Sequence, residues 1–258
     1  MRSFGRILTA GLPLAIASTI ALAPRAGLCA GAGATVPVPV AAVIATAVDA
    51  HAAAPAVVVD TSQIQGVAGF EAASTFAEKV PKLVADGYPM IVRELGAQAA
   101  PVPERVTVVF DKDMDGVAAT GGTTIHVAAR YAQDHPDDTG MIIHELAHVV
   151  QGYPNYDPVW LVEGIADYVR FFHYEPVTNR PHPNPAKASC RDSYRTTGAF
   201  LDWAVRTHDK KLVKKLDAAL KANTYTEEMF RQATGKSLDQ LNTDWLASLT
   251  PITPPAPK

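Results

Sequence analysis

The chain has 258 residues, of which 48% are hydrophobic and 19% charged, and this composition excludes a wholly disordered protein. The formal net charge of −3, without a long run of basic residues, argues against a nucleic-acid-binding protein. Four lysines at helical spacing are interpreted as a solvated helix face: Lys210, Lys211, Lys214 and Lys215.

The first segment has the order of parts that is typical of a secretory signal peptide. Arg2 and Arg6 precede an uncharged apolar stretch at residues 7–23, and small residues follow it. This stretch is shorter than the about 20 apolar residues that a membrane span needs. We therefore predict a signal peptide over residues 1–34, cut near residue 30 or 34, and a secreted or periplasmic protein with no membrane span after its removal.

Removal of this segment changes both the charge and the cysteine content. It takes away three arginines and no acidic residue, so the formal charge goes from −3 to −6. It also removes Cys29 and leaves Cys190 alone, so no intrachain disulfide is expected. Three regions are then predicted: a flexible Ala/Pro-rich linker at residues 35–56, a single domain at 57–250 and a Pro-rich tail at 251–258.

The first half of the predicted domain combines short strands with one long helix. Three strands are expected from β-branched or apolar runs, at residues 57–59, 106–110 and 123–128. Apolar residues recur at helical spacing over residues 68–98, and Pro81 and Pro89 are expected to kink or divide that helix.

The segment after the second strand copies the start of a calcium-binding loop. Residues 111–116 read D-K-D-M-D-G, which matches the pattern D-x-D-x-D-G. The twelfth position of such a loop is Gly122 here, where a bidentate Glu belongs, and a strand rather than a helix precedes it. We interpret the segment as a solvated turn, with calcium binding as the alternative.

Helices dominate the second half of the chain. Six helical patterns are present, at residues 138–150, 158–172, 193–207, 211–222, 226–232 and 237–249. Asp157 is the predicted N-cap of the second helix, with Pro158 at its first position, and a Pro-rich loop at residues 176–185 follows that helix.

The first of these helices carries the motif H-E-x-x-H. His144 and His148 are four residues apart, which is about 40° around a helix, so both imidazoles can approach one cation. Glu145 lies about 100° from His144 and can reach a water molecule at the metal without being a ligand. The alternative is a chance pentapeptide whose two histidines are hydrogen-bonded in the core.

The next helix can supply the third protein ligand that a catalytic zinc requires. Glu163 would lie against the two histidines from an antiparallel partner helix, and Gly164 would let the two helices come close. Asp167, one turn later, is predicted to accept a hydrogen bond from a ligating histidine, His144. The alternative is that Glu163 and Asp167 form surface ion pairs, for example with Arg170.

These segments resemble the basic secretory protein family, zinc metallopeptidases of plants and bacteria. The resemblance rests on residues 144–151, 160–170 and 193–203, with support from 60–62, 124–127, 131 and 235–245. It implies a gluzincin with an α+β, zincin-like metallopeptidase fold: a small mixed sheet, a zinc-binding helix pair and a helical C-terminal half. The family's name describes basic proteins, whereas the predicted mature chain is acidic, so we infer no basic surface or partner from the resemblance.

The resemblance also implies an oxyanion-stabilising side chain downstream of the glutamate ligand. Tyr194, at the start of its helix, is the candidate, and the alternative is that its ring packs in the core. Three weaker candidates are Tyr168, His173 and His182. The strand at residues 123–128 is expected to form the sheet edge along which a peptide substrate adds, with His126 as a strand residue rather than a ligand.

The predicted function is a secreted zinc metallopeptidase that acts on peptides or proteins. His144, His148 and Glu163 would hold Zn²⁺, and Glu145 would be the general base. Two alternatives remain: a catalytically idle, zinc-bound extracellular binding or defence-type protein, and a metal helix that only stabilises the fold. Neither alternative needs the general base Glu145. The sequence specifies neither the oligomeric state nor the choice between endo- and exopeptidase.

Overall fold

The computed structural model describes residues 54–97 and 101–249. The predicted signal peptide, nearly all of the predicted linker and the predicted Pro-rich tail lie outside these residues. Within the described residues, none of the helices has both the length and the apolar character that crossing a membrane requires.

A four-stranded mixed sheet forms in the N-terminal half. Its strands are β1 (Ala56–Asp60), β2 (Arg105–Asp111), β3 (Ala118–Gly121) and β4 (Thr124–Ala128). Their order is β1-β2-β4-β3, in which β1 and β4 run parallel to β2 and β3 runs antiparallel to β4. The prediction that residues 123–128 form the sheet edge is wrong, because β4 is hydrogen-bonded on both sides and β3 forms that edge.

The long helix α1 (Glu71–Leu95) packs against β1 and is not divided at either proline. Its apolar stripe is buried, and Gly87 gives space to helix α3 (Gly140–Gln151). A Cβ atom at position 87 would lie 2.6 Å from Ile143 Cδ1. Packing of the stripe therefore holds α1 together across Pro81 and Pro89, where sequence alone predicted a kink or a break.

Five of the six remaining α-helices of the described residues match predicted helical patterns, with small shifts at their ends. The six are α2 (Ala129–Asp134), α4 (Val159–Val169), α5 (Tyr194–Thr207), α6 (Leu212–Lys221), α7 (Glu228–Thr234) and α8 (Leu238–Ser248), with a π-helical turn at Arg170–Tyr174 after α4. Helix α2 was not predicted. The prediction of Asp157 as the N-cap of α4 is wrong, because Pro158 is the N-cap and Val159 is the first helical residue. All twelve residues of α3 are buried, as expected from its apolar composition. The described chain is thus an α+β protein with a small mixed sheet and a mostly helical remainder.

The segment that resembles a calcium loop forms a turn between β2 and β3. The Asp111 carboxylate lies 2.6 Å from His126 Nδ1 and accepts a hydrogen bond from Gln63 Nε2 at 2.9 Å. These contacts give Asp111 a structural role at the end of β2, and His126 is a strand residue of β4, as expected.

Cys190 is buried and forms no disulfide within the described part of the chain. Burial raises the pKa of its thiol to about 12. The thiol therefore stays protonated at neutral pH, and it lies in the core rather than in a reactive position.

Helices α4 and α5 approach each other at two glycines. A Cβ atom at Gly164 would clash with Thr197 Cγ2, and one at Gly198 would lie 3.0 Å from the backbone nitrogen of Tyr168. Gly164 therefore serves the α4–α5 contact, and the prediction that it brings α4 close to α3 is wrong. The contact places the start of α5, with Tyr194, beside the helix that carries Glu163.

We predict that Gly164→Ala lowers the free energy of unfolding by about 1–3 kcal/mol, because overpacking forces neighbouring atoms to move. Thr197 cannot yield easily, since it is buried and its hydroxyl donates to the Cys190 carbonyl oxygen at 2.7 Å. Urea denaturation measures the change. The matched control is Gly121→Ala, where an added Cβ meets nothing within 4 Å; equal losses in the two variants would contradict the prediction.

Candidate metal centre

Helices α3 and α4 bring two imidazoles and one carboxylate together. His144 Nε2 lies 3.1 Å from His148 Nε2 and 3.2 Å from Glu163 Oε2. His148 Nε2 lies 3.4 Å from Glu163 Oε2. All three residues are buried, and their ligand atoms lie close enough together to hold one metal ion. The three predicted ligands are therefore adjacent in the structure.

The local sequence explains this convergence. The four-residue spacing of His144 and His148 puts both rings on one face of α3. Gly152, whose φ of 49° is left-handed, is the C-cap of α3. Residues 152–158 then return the chain so that α4 packs against α3. Glu163, in the middle of α4, then faces the two rings.

The second nitrogen of each ring is hydrogen-bonded. His144 Nδ1 lies 2.6 Å from Asp167 Oδ1, and His148 Nδ1 lies 2.7 Å from Gln151 Oε1. Gln151 is itself held, because its Nε2 donates to the Val162 carbonyl oxygen at 3.0 Å. Both acceptors are oxygens, so each Nδ1 carries the proton and each Nε2 is directed to the cluster.

Asp167 therefore lies where the sequence analysis expected it, but Gln151 was missed. The signal for Gln151 is its spacing, since a residue three positions after His148 lies on the same face of a helix. Because Asp167 contacts His144, the alternative in which Asp167 forms a surface ion pair with Arg170 is wrong. Arg170 is instead engaged by Asp138 and Glu175.

The side chains of the cluster favour opposite charges, a protonated His144 and an ionised Glu163. Burial disfavours a charged His144 ring, but hydrogen bonds with Asp167 and Glu163 outweigh burial and raise the pKa of His144 to about 9. Burial likewise disfavours an ionised Glu163, but the two histidine rings outweigh it and lower the pKa of Glu163 to about 2. A metal cation can satisfy the same buried carboxylate.

Glu145 is buried beside the three candidate ligand residues but is not one of them. The hydroxyl of Thr120 on β3 lies 2.7 Å from Glu145 Oε2 and 3.1 Å from the Glu145 carbonyl oxygen. The edge strand therefore orients the Glu145 carboxylate. Sequence reasoning missed both β3 and Thr120, because four small or polar residues carry a weak strand signal.

A cleft of about 750 Å³ opens over the cluster. Its walls come from β3, from α3 and α4, and from residues 192–196 at the start of α5. Tyr194 is 53% exposed there, and its ring stacks on that of His144 with centroids 6.1 Å apart and planes 19° apart. The alternative in which Tyr194 packs in the core is therefore wrong.

A second tyrosine lies near the other histidine. Tyr156, in the connection between α3 and α4, lines the cleft with its ring centroid 5.5 Å from that of His148. The charge of Glu163 and burial raise the pKa of Tyr194, and burial with the charges of Glu163 and Glu145 raises that of Tyr156. Both phenols are thus hydrogen-bond donors at neutral pH. Tyr156 was missed because it lies in a loop with no periodic pattern.

The three weaker candidates lie elsewhere. Tyr168 is buried, with its ring 4.6 Å from that of His173, and His173 Nδ1 lies 3.3 Å from Glu94. His182 borders a separate pocket beside Trp203. None of the three is among the residues that line the cleft.

We predict that Asp167→Asn and Gln151→Ala each lower metal affinity by about 10- to 100-fold, the usual effect of removing a partner that orients a ligating histidine. Competition with a chromophoric zinc chelator measures the affinity. Asp202→Asn is the matched control, because Asp202 is a buried acid of α5 that pairs with Arg206. Unchanged affinity in both site variants would contradict the role assigned to these hydrogen bonds.

Comparison with known proteins gives one family match. The family model described as "BSP: Peptidase of plants and bacteria" matches residues 56–245, a range that includes the four strands and every residue of the metal centre. No curated protein and no solved structure gives a significant match.

Proposed function

The chain belongs to the basic secretory protein (BSP) family of plant and bacterial peptidases, and from this membership we propose that it is a zinc-dependent metallopeptidase with a glutamate general base. The observation that carries the proposal is the buried group of His144, His148 and Glu163, which borders a cleft beside Glu145. Membership of a peptidase family implies peptide or protein substrates. Export to the cell exterior or periplasm stays a prediction from the N-terminal sequence.

The donor set favours zinc. Zinc takes imidazole nitrogens and carboxylate oxygens at about 2.0–2.2 Å, so neighbouring ligand atoms of a tetrahedral site are about 3.3–3.5 Å apart. The separations of 3.1, 3.2 and 3.4 Å among the Nε2 atoms of the two histidines and Glu163 Oε2 lie close to that value. Two imidazoles and one glutamate are also a ligand set of catalytic zinc sites.

The residues around the centre have complementary roles in peptide hydrolysis. A zinc ion at such a site, when bound, activates water and polarises a carbonyl group. Glu145, held by Thr120, would accept the proton of the attacking water and pass it to the leaving amine. Tyr194 would donate a hydrogen bond to the oxyanion that develops on the substrate carbonyl.

The position of β3 supports an extended substrate. Its outer edge is not paired with another strand among the described residues, and residues 117–120 line the cleft. A peptide in extended conformation can add to such an edge through backbone hydrogen bonds. The same strand carries Thr120, so substrate binding and orientation of Glu145 would share one element.

Two alternatives are less well supported by these contacts. Structural zinc sites are closed by four protein ligands, whereas the described residues supply three, and the cluster borders an open cleft. A metal that only stabilises the fold does not explain this opening. An idle binding protein does not require a carboxylate at Glu145 that is oriented by a neighbouring hydroxyl.

The proposal is tested by incubating the purified protein with a mixed peptide library and identifying products by mass spectrometry. Hydrolysis should disappear with a chelator and return when zinc is added. Absence of cleavage by the fully zinc-loaded protein would contradict the proposed activity.

We predict that Glu145→Gln lowers kcat by about 10²- to 10⁴-fold, the usual contribution of general acid–base catalysis, while zinc content is retained. Stopped assays on one library peptide give kcat, and elemental analysis gives the zinc content. Glu228→Gln is the matched control, because Glu228 lies on α7 and pairs with Arg231. A Glu145→Gln variant with normal turnover would overturn the role of Glu145.

We predict that Tyr194→Phe lowers kcat by about 10²- to 10³-fold with little effect on KM, because an oxyanion donor acts mainly in the transition state. Tyr156→Phe is the comparison, since both phenols line the cleft. The same kinetic assay measures both variants. A large loss of kcat in Tyr156→Phe with none in Tyr194→Phe would move the oxyanion role to Tyr156.

A further inference from the structure

Two arginines line the cleft, and they are engaged differently. Arg170 contacts Asp138 through Nη2, and its Nε donates to Glu175 Oε1 at 3.1 Å. Both of these carboxylates are largely buried, with 19% and 10% of their side chains exposed. The Arg170 guanidinium is therefore already paired, and its contact with Asp138 links the end of α4 to the start of α3.

Arg195 lines the same cleft but pairs with no carboxylate among the described residues. Five other arginines of this part of the chain do form such pairs: Arg93, Arg170, Arg191, Arg206 and Arg231. Arg195 directly follows Tyr194 and is exposed. An unpaired guanidinium is thus available beside the candidate oxyanion donor.

The position of Arg195 is set by an aromatic ring. Its Cζ lies 4.9 Å from the centroid of the buried Phe171 ring, and Cζ of Arg170 lies 4.7 Å from the same centroid. A guanidinium that stacks on a ring keeps its N–H groups for hydrogen bonds in its own plane. This cation–π contact positions Arg195 without using its hydrogen-bond donors.

The acidic side chains of the cleft do not satisfy Arg195. Asp167 is hydrogen-bonded to His144, Glu163 contacts both histidine rings, and Glu145 is held by Thr120. Asp192 lies on the same wall as Arg195, but its Oδ2 accepts a hydrogen bond from the Ser189 backbone at 2.7 Å. The arginine donors remain for a group that enters the cleft.

We infer that Arg195 binds a carboxylate of the substrate, so that the cleft prefers peptides with a carboxylate near the bond that is cleaved. Arginine donors match a carboxylate in a bidentate, charge-assisted pair. The carboxylate is either the free C-terminus of the substrate or an Asp or Glu side chain. The inference rests on the proposed function, because it assigns a specificity residue to that same cleft.

The test uses acetylated peptides of common sequence, made with a C-terminal carboxylate or a carboxamide and with Glu or Gln at one internal position at a time. Turnover by the zinc-loaded protein is measured as kcat/KM. Hydrogen bonds to charged groups change affinity by about 10- to 100-fold, so the carboxylate form should be preferred by that factor. Loss of preference only on amidation identifies the terminus, and loss only on Glu-to-Gln replacement identifies a side chain.

Arg195→Gln should reduce this preference to within about twofold, while hydrolysis of the uncharged peptides continues. Arg195→Lys keeps the charge but not the planar donors, so it should retain part of the preference. Arg206→Gln is the matched control, because Arg206 lies on the same helix, pairs with Asp202 and borders a different pocket. If Arg195 only packs on Phe171, its variants will lower kcat/KM equally for charged and uncharged peptides, which overturns the inference.

A binding measurement separates this inference from the proposed activity. The same peptides are titrated into zinc-loaded Glu145→Gln protein, with and without Arg195→Gln, by calorimetry. A carboxylate preference that depends on Arg195 without turnover by the wild type would contradict the peptidase proposal and support the inference. Turnover without a carboxylate preference would support the peptidase proposal and contradict the inference about Arg195. The absence of both turnover and preference would overturn the proposal and the inference together.

Discussion

A buried carboxylate must be compensated by positive charge, and the helix pair α3–α4 is arranged around this requirement at Glu163. The compensating groups are His144 and His148, whose Nε2 atoms lie 3.2 and 3.4 Å from Glu163 Oε2. The outer nitrogen of each ring has its own acceptor, so neither ring can turn away without losing a buried hydrogen bond. The resulting three-atom group is therefore preorganised for a cation.

Other parts of the fold surround this group with the remaining chemistry. The edge strand β3 supplies Thr120, which orients Glu145. The close contact of α4 and α5 at Gly164 and Gly198 brings Tyr194 over the His144 ring. The sheet and helix α5 thus meet at one cleft, although neither provides a candidate metal ligand. This division lets a small α+β domain keep His144, His148 and Glu163 buried while Tyr194 stays exposed to the cleft.

The grouping of the candidate metal ligands could be predicted from sequence because it depends on local spacing. His144 and His148 share a face of one helix, and Glu163 and Asp167 share a face of the next. Features that depend on distant contacts could not be predicted in this way. Strand β3 exists because it pairs with β4, Arg195 acquires its position from Phe171, and Gly164 faces α5 rather than the helix that precedes it in sequence. Burial of its stripe likewise keeps α1 undivided across two prolines.

The start of α5 has an unusual backbone that affects how the protein could be engineered. Ser193 and Tyr194 both have positive φ values, of 64° and 45°, and such sparsely populated backbone conformations cost an L-residue roughly 1–3 kcal/mol each. Contacts of α5 with α4 hold this strained corner and with it the aromatic side chain over the cluster. Substitutions that relax this corner would add stability but would also free the Tyr194 ring from its position over His144, so stability and the arrangement of the candidate site are opposed at this point of the chain.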